Sequence, residues 1–445
     1  MQYGLRVNNI MISRELLIIF SQRSWQALAG FLTVIFVARY LSPIEQGWYY
    51  TFISISSLYV LFELGVSSAL SQISSRMFIH LAWDSEGCVK GAGREKFYAF
   101  FHASLRYYLL MAILFFLLVS LGGYFFFQHG SQLSSTANRW LLPWVLLVLL
   151  TAANLITLPV VAIVEGSGEV ADVYLLRLSQ GIIGSILCWL VLVSGAGLWC
   201  VLMIPLSAIS IFAFWMLKKK IGLVRALRRP LVNSEFSWAK EVLSFQWRVG
   251  LSWISVYAMS QLIVPIAFYF ISPEVAGQLG LSLAVAHMIG ILSSSWITRH
   301  VPMMSKAVGN KEWRLFDETF KKDLGYSVIF YVFSSLMLMR VYRLAFSTEY
   351  GVRLLVPELF SYLLIFVFFY HISNSFATHL RCHKKEPLVW LFLLGAVLNL
   401  SSVVFASKAH SVDWVIYSIC LIQAFLIVPG SYYVWKKNNH LWRFS

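Results

Sequence analysis

The sequence predicts an all-α polytopic membrane protein of about twelve transmembrane helices in two pseudo-symmetric six-helix lobes. Three observations carry that expectation. Of 445 residues, 59% are hydrophobic and only 12% are charged, whereas soluble domains carry about 25% charged residues. Apolar stretches of about twenty residues, the length that crosses a bilayer, recur from end to end. A short turn motif also appears twice, once in a corresponding place in each half of the chain.

Taken in order, the expected spans are 16–38, 48–70, 105–127, 140–163, 173–194 and 197–217, then 244–271, 277–298, 325–346, 356–379, 387–407 and 412–435. The first lies in LLIIFSQRSWQALAGFLTVIFVARYL and carries Arg23. An arginine at that depth costs about 2.5 to 3.5 kcal/mol on insertion scales, so it should face protein or water rather than lipid. No small-residue cleavage site follows the basic N-terminus, and Arg23 interrupts the apolar run, so a retained first helix is expected rather than a cleaved leader.

The connection 218–243 (KKKIGLVRALRRPLVNSEFSWAKEVL) is basic with interspersed apolar residues. It suits either an amphipathic segment lying on anionic lipid or a solvated linker. It divides the chain into an N-terminal lobe, 1–217, and a C-terminal lobe, 244–445. External connections, roughly 128–139 and 347–355, are too short for a folded extramembrane domain.

The net charge of +15 does not indicate nucleic acid, because the basic residues alternate with apolar spans instead of forming one face. Counted from a cytoplasmic N-terminus, most of the 35 Lys and Arg fall on the inner side. Arg39, Arg139, Arg340, Arg343, Arg353 and Lys408 fall outside. The positive-inside rule therefore puts both termini in the cytoplasm. Five scattered cysteines (Cys88, Cys188, Cys200, Cys382, Cys420) form neither a disulfide framework nor a CxxC metal site.

The repeated motif is Ser42-Pro43-x-x-x-Gly47 and Ser272-Pro273-x-x-x-Gly277, opening the second and eighth helices. Asn154 and Asn374 also take corresponding places in the fourth and tenth. Six-helix halves repeating in one orientation suggest a parallel repeat about an axis along the membrane normal, and hence a two-lobed transporter with its site between the lobes.

Arg23 and Glu63 should lie at similar depth, each roughly 10 Å inside the cytoplasmic side on antiparallel helices. Glu63 (VLFELGVSS) is the carboxylate set deepest in a span, and Gly65 beside it allows close helix approach. The expected pair is either a structural lock or a switch that opens to an anion or a proton. Arg177 (VYLLRLSQG) and Arg248 (FQWRVGLSW) bring guanidinium groups to comparable depth, unless they snorkel to the head groups. Polar and small stripes accompany them: Arg23 with Gln26, Gly30 and Thr33; Arg177 with Gln180, Gly181 and Gly184; Arg248 with Ser252 and Ser255. Guanidinium forks bind phosphate bidentately, so these three are the expected anionic head-group contacts. His287 and His371 stand near mid-membrane as either proton carriers or hydrogen-bonded core histidines. Glu165, Glu169 and Asp172 (EGSGEVAD) read as turn and cap chemistry. No GxSxG, HExxH or P-loop occurs, so neither a catalytic nor a metal centre is expected.

The segments QRSWQALAG, YLSPIEQGWYY, FELG, EGSGEVADVYLLRLSQ, GAGLW, FQWRVGLSW, SPEVAGQLGLSL and WITRHVP resemble the polysaccharide-transporter branch of the multidrug, oligosaccharidyl-lipid and polysaccharide exporter superfamily. Within it the likeness is to Wzx-type flippases of O-antigen and capsule assembly. That resemblance spans nearly the whole chain. It implies a MATE-like MOP fold, alternating access, and translocation of an undecaprenyl-diphosphate-linked oligosaccharide across the bacterial inner membrane, from the cytoplasmic to the periplasmic leaflet. It also implies a cationic cavity, coupling to protons or sodium ions with no other cofactor, and other glycan-assembly proteins as partners. Two further functions come from other classes. A drug or cation antiporter of the same fold calls for an acidic cavity, and Arg23 stands where such relatives often carry an acidic coupling residue. A membrane glycosyltransferase or polymerase calls for catalytic residues on a sizeable external loop.

Overall fold

A computed structural model describes residues 2–133, 140–227, 244–383 and 385–442. The protein is an all-α polytopic membrane fold, and the apolar helices follow the expected spans closely. Among the described residues nine helices are long and apolar enough to cross a membrane, and two broken pairs bring the number to 11. Helix α1 (Gln2–Tyr40) covers the expected first span but is not one of these, its apolar run being diluted by Gln22, Arg23 and Gln26.

The chain divides into two units. The first comprises Met1–Phe36 and Ile55–Trp253, the second Val37–Ser54 and Ile254–Ser445. Residues 228–243, the greater part of the expected basic linker, lie outside the described residues.

In the first unit, α3 (Tyr59–Glu63) and α4 (Val66–Met77) are followed by a hairpin of β1 (Leu81–Trp83) and β2 (Val89–Gly91), with Leu81 opposite Gly91. Next come α5 (Arg94–Leu133), α6 (Leu141–Gly166), α7 (Val170–Val193), α8 (Met203–Lys219) and the short α9 (Ile221–Ala226). Small residues set the approaches. Gly166 lies on the main chain of Ser71, and Ser74 Oγ donates to the Ile163 carbonyl at 2.7 Å, which joins α4 to α6. Gly123 lies against the indole of Trp144, joining α5 to α6.

In the second unit, α2 (Pro43–Ser56) precedes the later part of α10 (Ser244–Gln261), α11 (Ile263–Phe270), α12 (Pro273–Thr298), α13 (Val301–Gly309) and α14 (Trp313–Phe346). α15 (Pro357–Arg381), α16 (Val389–Lys408), α17 (Val412–Ile422) and α18 (Val428–Leu441) complete it, with a π-helical turn over Gln423–Ile427. The repeated motif is a helix-start device in both copies. Ser42 and Glu45 form a reciprocal capping box, with Ser42 N donating to Glu45 Oε2 at 2.9 Å and Glu45 N to Ser42 Oγ at 3.2 Å. Ser272 Oγ accepts from Val275 N at 3.3 Å, and Pro273 occupies the first turn, where its missing N–H costs nothing. The two copies meet. Gly47 lies on the Pro273 carbonyl, and a Cβ on Gly277 would come within 2.8 Å of Gly47 N and 3.0 Å of Pro43 O. Gln46 Nε2 seals the crossing, donating to the carbonyls of Gly277 at 2.8 Å and Arg353 at 3.1 Å.

Candidate functional site

The deepest carboxylate of the first unit sits at a break in its helix. After Glu63 the chain turns left-handed at Leu64 (φ 51°) and Gly65 (φ 70°), and the helical pair is bent by 44°. Glycine takes that conformation without penalty, whereas Leu64 is held in it by packing its side chain on Gly250 of α10. Glu63 is buried, and its carboxylate caps the new helix. Oε2 accepts from Gly65 N and Oε1 from Ser67 N, both at 2.7 Å, and Tyr108 Oη of α5 donates to Oε1 at 3.0 Å. By accepting from Gly65 N and Ser67 N, the carboxylate satisfies amides at the start of α4 that have no partner inside the helix.

Arg23, expected to meet Glu63, does not. Its side chain is exposed and forms no ion pair among the described residues, while Glu63 draws its partners from its own chain break and α5. Matching the two by depth along the helix axes ignored rotation about them, and the rotation puts Arg23 on the open side of α1. The other side of α1 packs on α7. Trp189 Nε1 donates to Thr33 Oγ1 at 2.9 Å, and Trp25 lies over Gly181 and 6.3 Å from the Trp189 ring. Gln22 and Gln26, bonded to each other at 3.5 Å, extend the polar surface around Arg23.

Arg177 is engaged elsewhere. Its Nη2 lies 2.7 Å from Glu165 Oε2, and its guanidinium is 5.3 Å from the Tyr174 ring centroid. The rest of its stripe packs helices, with Gln180 Nε2 donating to the Ala208 carbonyl at 2.8 Å and Gly184 lying against Ser207. Arg248 falls within α10, and its side chain lies outside the described residues.

The histidines of the second unit differ in their surroundings. His371 is buried, with Nε2 2.5 Å from Ser327 Oγ and its ring stacked 6.0 Å from Tyr331. His287 is partly buried and meets Tyr370 edge-on at 6.2 Å.

Three features escaped the sequence reading. Tyr108 could have been suspected from the Tyr107-Tyr108 pair inside an apolar helix. Glu165, Glu169 and Asp172 are ion-pair partners rather than caps: Glu169 stands at the N-cap of α7 without a side-chain cap bond, and instead holds Lys220 Nζ at 2.6 Å. Asp172 holds Lys219 at 2.8 Å. Lys220 also lies 3.9 Å from the ring centroid of Trp83 in the β hairpin. Burial pushes its ammonium pKa down, and Glu169 offsets that only in part. Finally, Asp323 is buried beside His300 Nδ1 at 2.7 Å and Arg299 Nη2 at 3.6 Å. Among the described residues no group of three or more His, Cys, Asp or Glu is placed to hold a metal ion.

No protein-family model and no curated protein sequence matches the chain. Solved structures do. The lipid II flippase MurJ, in an inward closed conformation, matches at 12% identity with a TM-score of 0.67, over 96% of this chain and 89% of that one. An inward-facing multidrug resistance MATE family transporter of the MOP superfamily matches at 12% identity and TM-score 0.65, over 96% and 99%. A MOP superfamily transporter from Pyrococcus furiosus, described by the reverse polarity of its binding pocket, matches at 13% identity and TM-score 0.58, over 97% and 96%. At such identities the likeness is one of fold: the chain has the MATE-like fold of MOP superfamily transporters.

Proposed function

We propose that the protein is a flippase that carries an undecaprenyl-diphosphate-linked oligosaccharide, an O-antigen or capsule repeat unit, from the cytoplasmic to the periplasmic leaflet of a bacterial inner membrane by alternating access. It is a transporter and not an enzyme, with both termini cytoplasmic, and it works beside other glycan-assembly proteins. The observation that carries this reading is Arg23, exposed part-way along α1 and free of any carboxylate among the described residues. An unpaired guanidinium at that depth belongs in water rather than lipid, where its planar fork suits a diphosphate. The shared fold with a lipid II flippase supports the substrate class. Hydrocarbon gains nothing by entering a polar path, so the polyprenyl tail would stay in lipid while the head group crosses.

Complementation of a cell lacking its own flippase tests it. At equal membrane levels, Arg23→Ala should lower surface glycan at least tenfold and Arg23→Lys less, since charge persists while bidentate geometry is lost. Full export by the alanine variant would remove Arg23 from the path.

A drug or cation antiporter is favoured by one feature, the buried Glu63 at its helix break, together with the fold shared with MATE transporters. That reading predicts gradient-driven drug efflux that Glu63→Gln abolishes, with no glycan phenotype. Coupling by His287 or His371 predicts instead that replacing one of them by alanine removes the effect of a pH gradient on glycan translocation in inverted vesicles, with folded protein retained.

A further inference from the structure

Helices α14 and α18 of the second unit border a groove of about 880 Å³. Lys321 stands on one wall and Lys436 and Lys437 on the other, and Asp317, on α14 with Lys321, is the acidic member of the lining among the described residues. All three lysines are exposed, and none is in an ion pair among the described residues. The floor is fixed. Phe320 belongs to a buried core cluster, and Trp435 packs on that cluster and donates from Nε1 to His379 Nδ1 at 3.0 Å. Tyr433 projects at the margin, two-thirds exposed.

The lysines flank the apolar parts of both helices, since Lys321 precedes the apolar run of α14 and Lys436 and Lys437 close that of α18. This is head-group depth, where tyrosine and tryptophan also concentrate. On the topology proposed above, with both termini cytoplasmic, this is the cytoplasmic face. Basic pockets between helices on that face suit doubly phosphorylated lipid head groups. Among the described residues the lining is predominantly basic, which suits a head group with two phosphodiesters. Lysine is a flexible point charge without the rigid fork of arginine, which fits a head group that samples several poses. Aromatic rings in the floor offer apolar contact to its glycerol and upper acyl carbons.

The geometry points to a binding site here for the doubly anionic head group of a cytoplasmic-leaflet phospholipid of the diphosphatidylglycerol type. The site lies in the second unit, whereas Arg23 belongs to the first, and the assignment stands whether the cargo is a glycolipid or a drug.

Native mass spectrometry of the full chain in neutral detergent tests it, with diphosphatidylglycerol titrated against phosphatidylethanolamine. Each Lys→Gln change at 321, 436 or 437 should weaken diphosphatidylglycerol binding about fivefold, and the triple change about a hundredfold, from about 1 kcal/mol per lysine near an anionic surface. The triple Lys→Arg variant should retain binding, and Asp317→Asn should tighten it. Equal binding of phosphatidylethanolamine would overturn the assignment. So would unchanged affinity in a triple glutamine variant of unaltered melting temperature or, should that variant not fold, in Asp317→Asn.

Discussion

Lys220 and Lys436 both stand at the end of an apolar helix, yet the chain treats them in opposite ways. Lys220 is buried, with Glu169 at 2.6 Å on one side and Trp83 beneath it. Around it Lys219 meets Asp172, Arg177 meets Glu165, and Arg225 meets Glu86 at 2.5 Å. Lys436 is exposed, as are Lys437 and Lys321, and no carboxylate closes on any of them among the described residues. The difference lies in which acids come within reach: the α6–α7 turn and the β hairpin each deliver carboxylates to the first cluster. Where carboxylates arrive, basic charge becomes structure. Elsewhere it remains available to a ligand, and a count of lysines along the sequence does not separate the two cases.

Four measurements test this contrast. The largest effect is expected from Lys220→Met, which leaves Glu169 without its cation. Breaking such a pair should cost about 3 kcal/mol, read as a fall of several degrees in the melting temperature of purified protein, and Lys220→Met/Glu169→Gln should recover much of it. Equal losses from the single and double variants would show that the pair does not act as a unit. Arg177→Ala should cost only about 1 kcal/mol, because its pair with Glu165 is partly open to solvent. Neutralising Lys321, Lys436 and Lys437 together should change stability by less than about 0.5 kcal/mol while lipid binding falls. A large loss of stability there would erase the distinction between the clusters.

The smallest effect concerns the hairpin turn. Asp84 Oδ1 accepts from Cys88 N and Glu86 N, each at 2.9 Å, and Lys90 lies 3.4 Å from Oδ2. The hydrogen bond from Cys88 above all, then those from Glu86 and Lys90, holds the carboxyl below its ordinary value. Its stabilising effect is therefore complete above the ordinary carboxylate range and is lost as the pH falls through the lowered native value. Hydrogen exchange at the Glu86 and Cys88 amides should speed up in Asp84→Asn near neutral pH, and this acceleration should vanish in strong acid.

The apolar spans were legible because hydropathy reports directly on what lipid will accept, and the serine–proline–glycine repeat because capping is a local grammar. The partner of Glu63 was not. Depth along a helix follows from counting residues, but which side of α1 bears Arg23 depends on how Trp25 and Thr33 lock against Gly181 and Trp189, long-range packing that no single segment encodes. Glu169 and Asp172 were read as local caps for the same reason. Their partners, Lys220 and Lys219, lie beyond an intervening pair of helical passes, and only the folded chain returns them.

The meeting of Gly47 with Gly277 carries one further consequence. At that crossing main chain rests on main chain, so there is no rotamer to yield and no side chain to trim. Any bulk added to either glycine falls on the other copy of the same motif. The two sites therefore share a single steric allowance, and neither residue is free to drift alone. The sequence carries the helix-start signal twice, and the fold has made each copy the other's boundary.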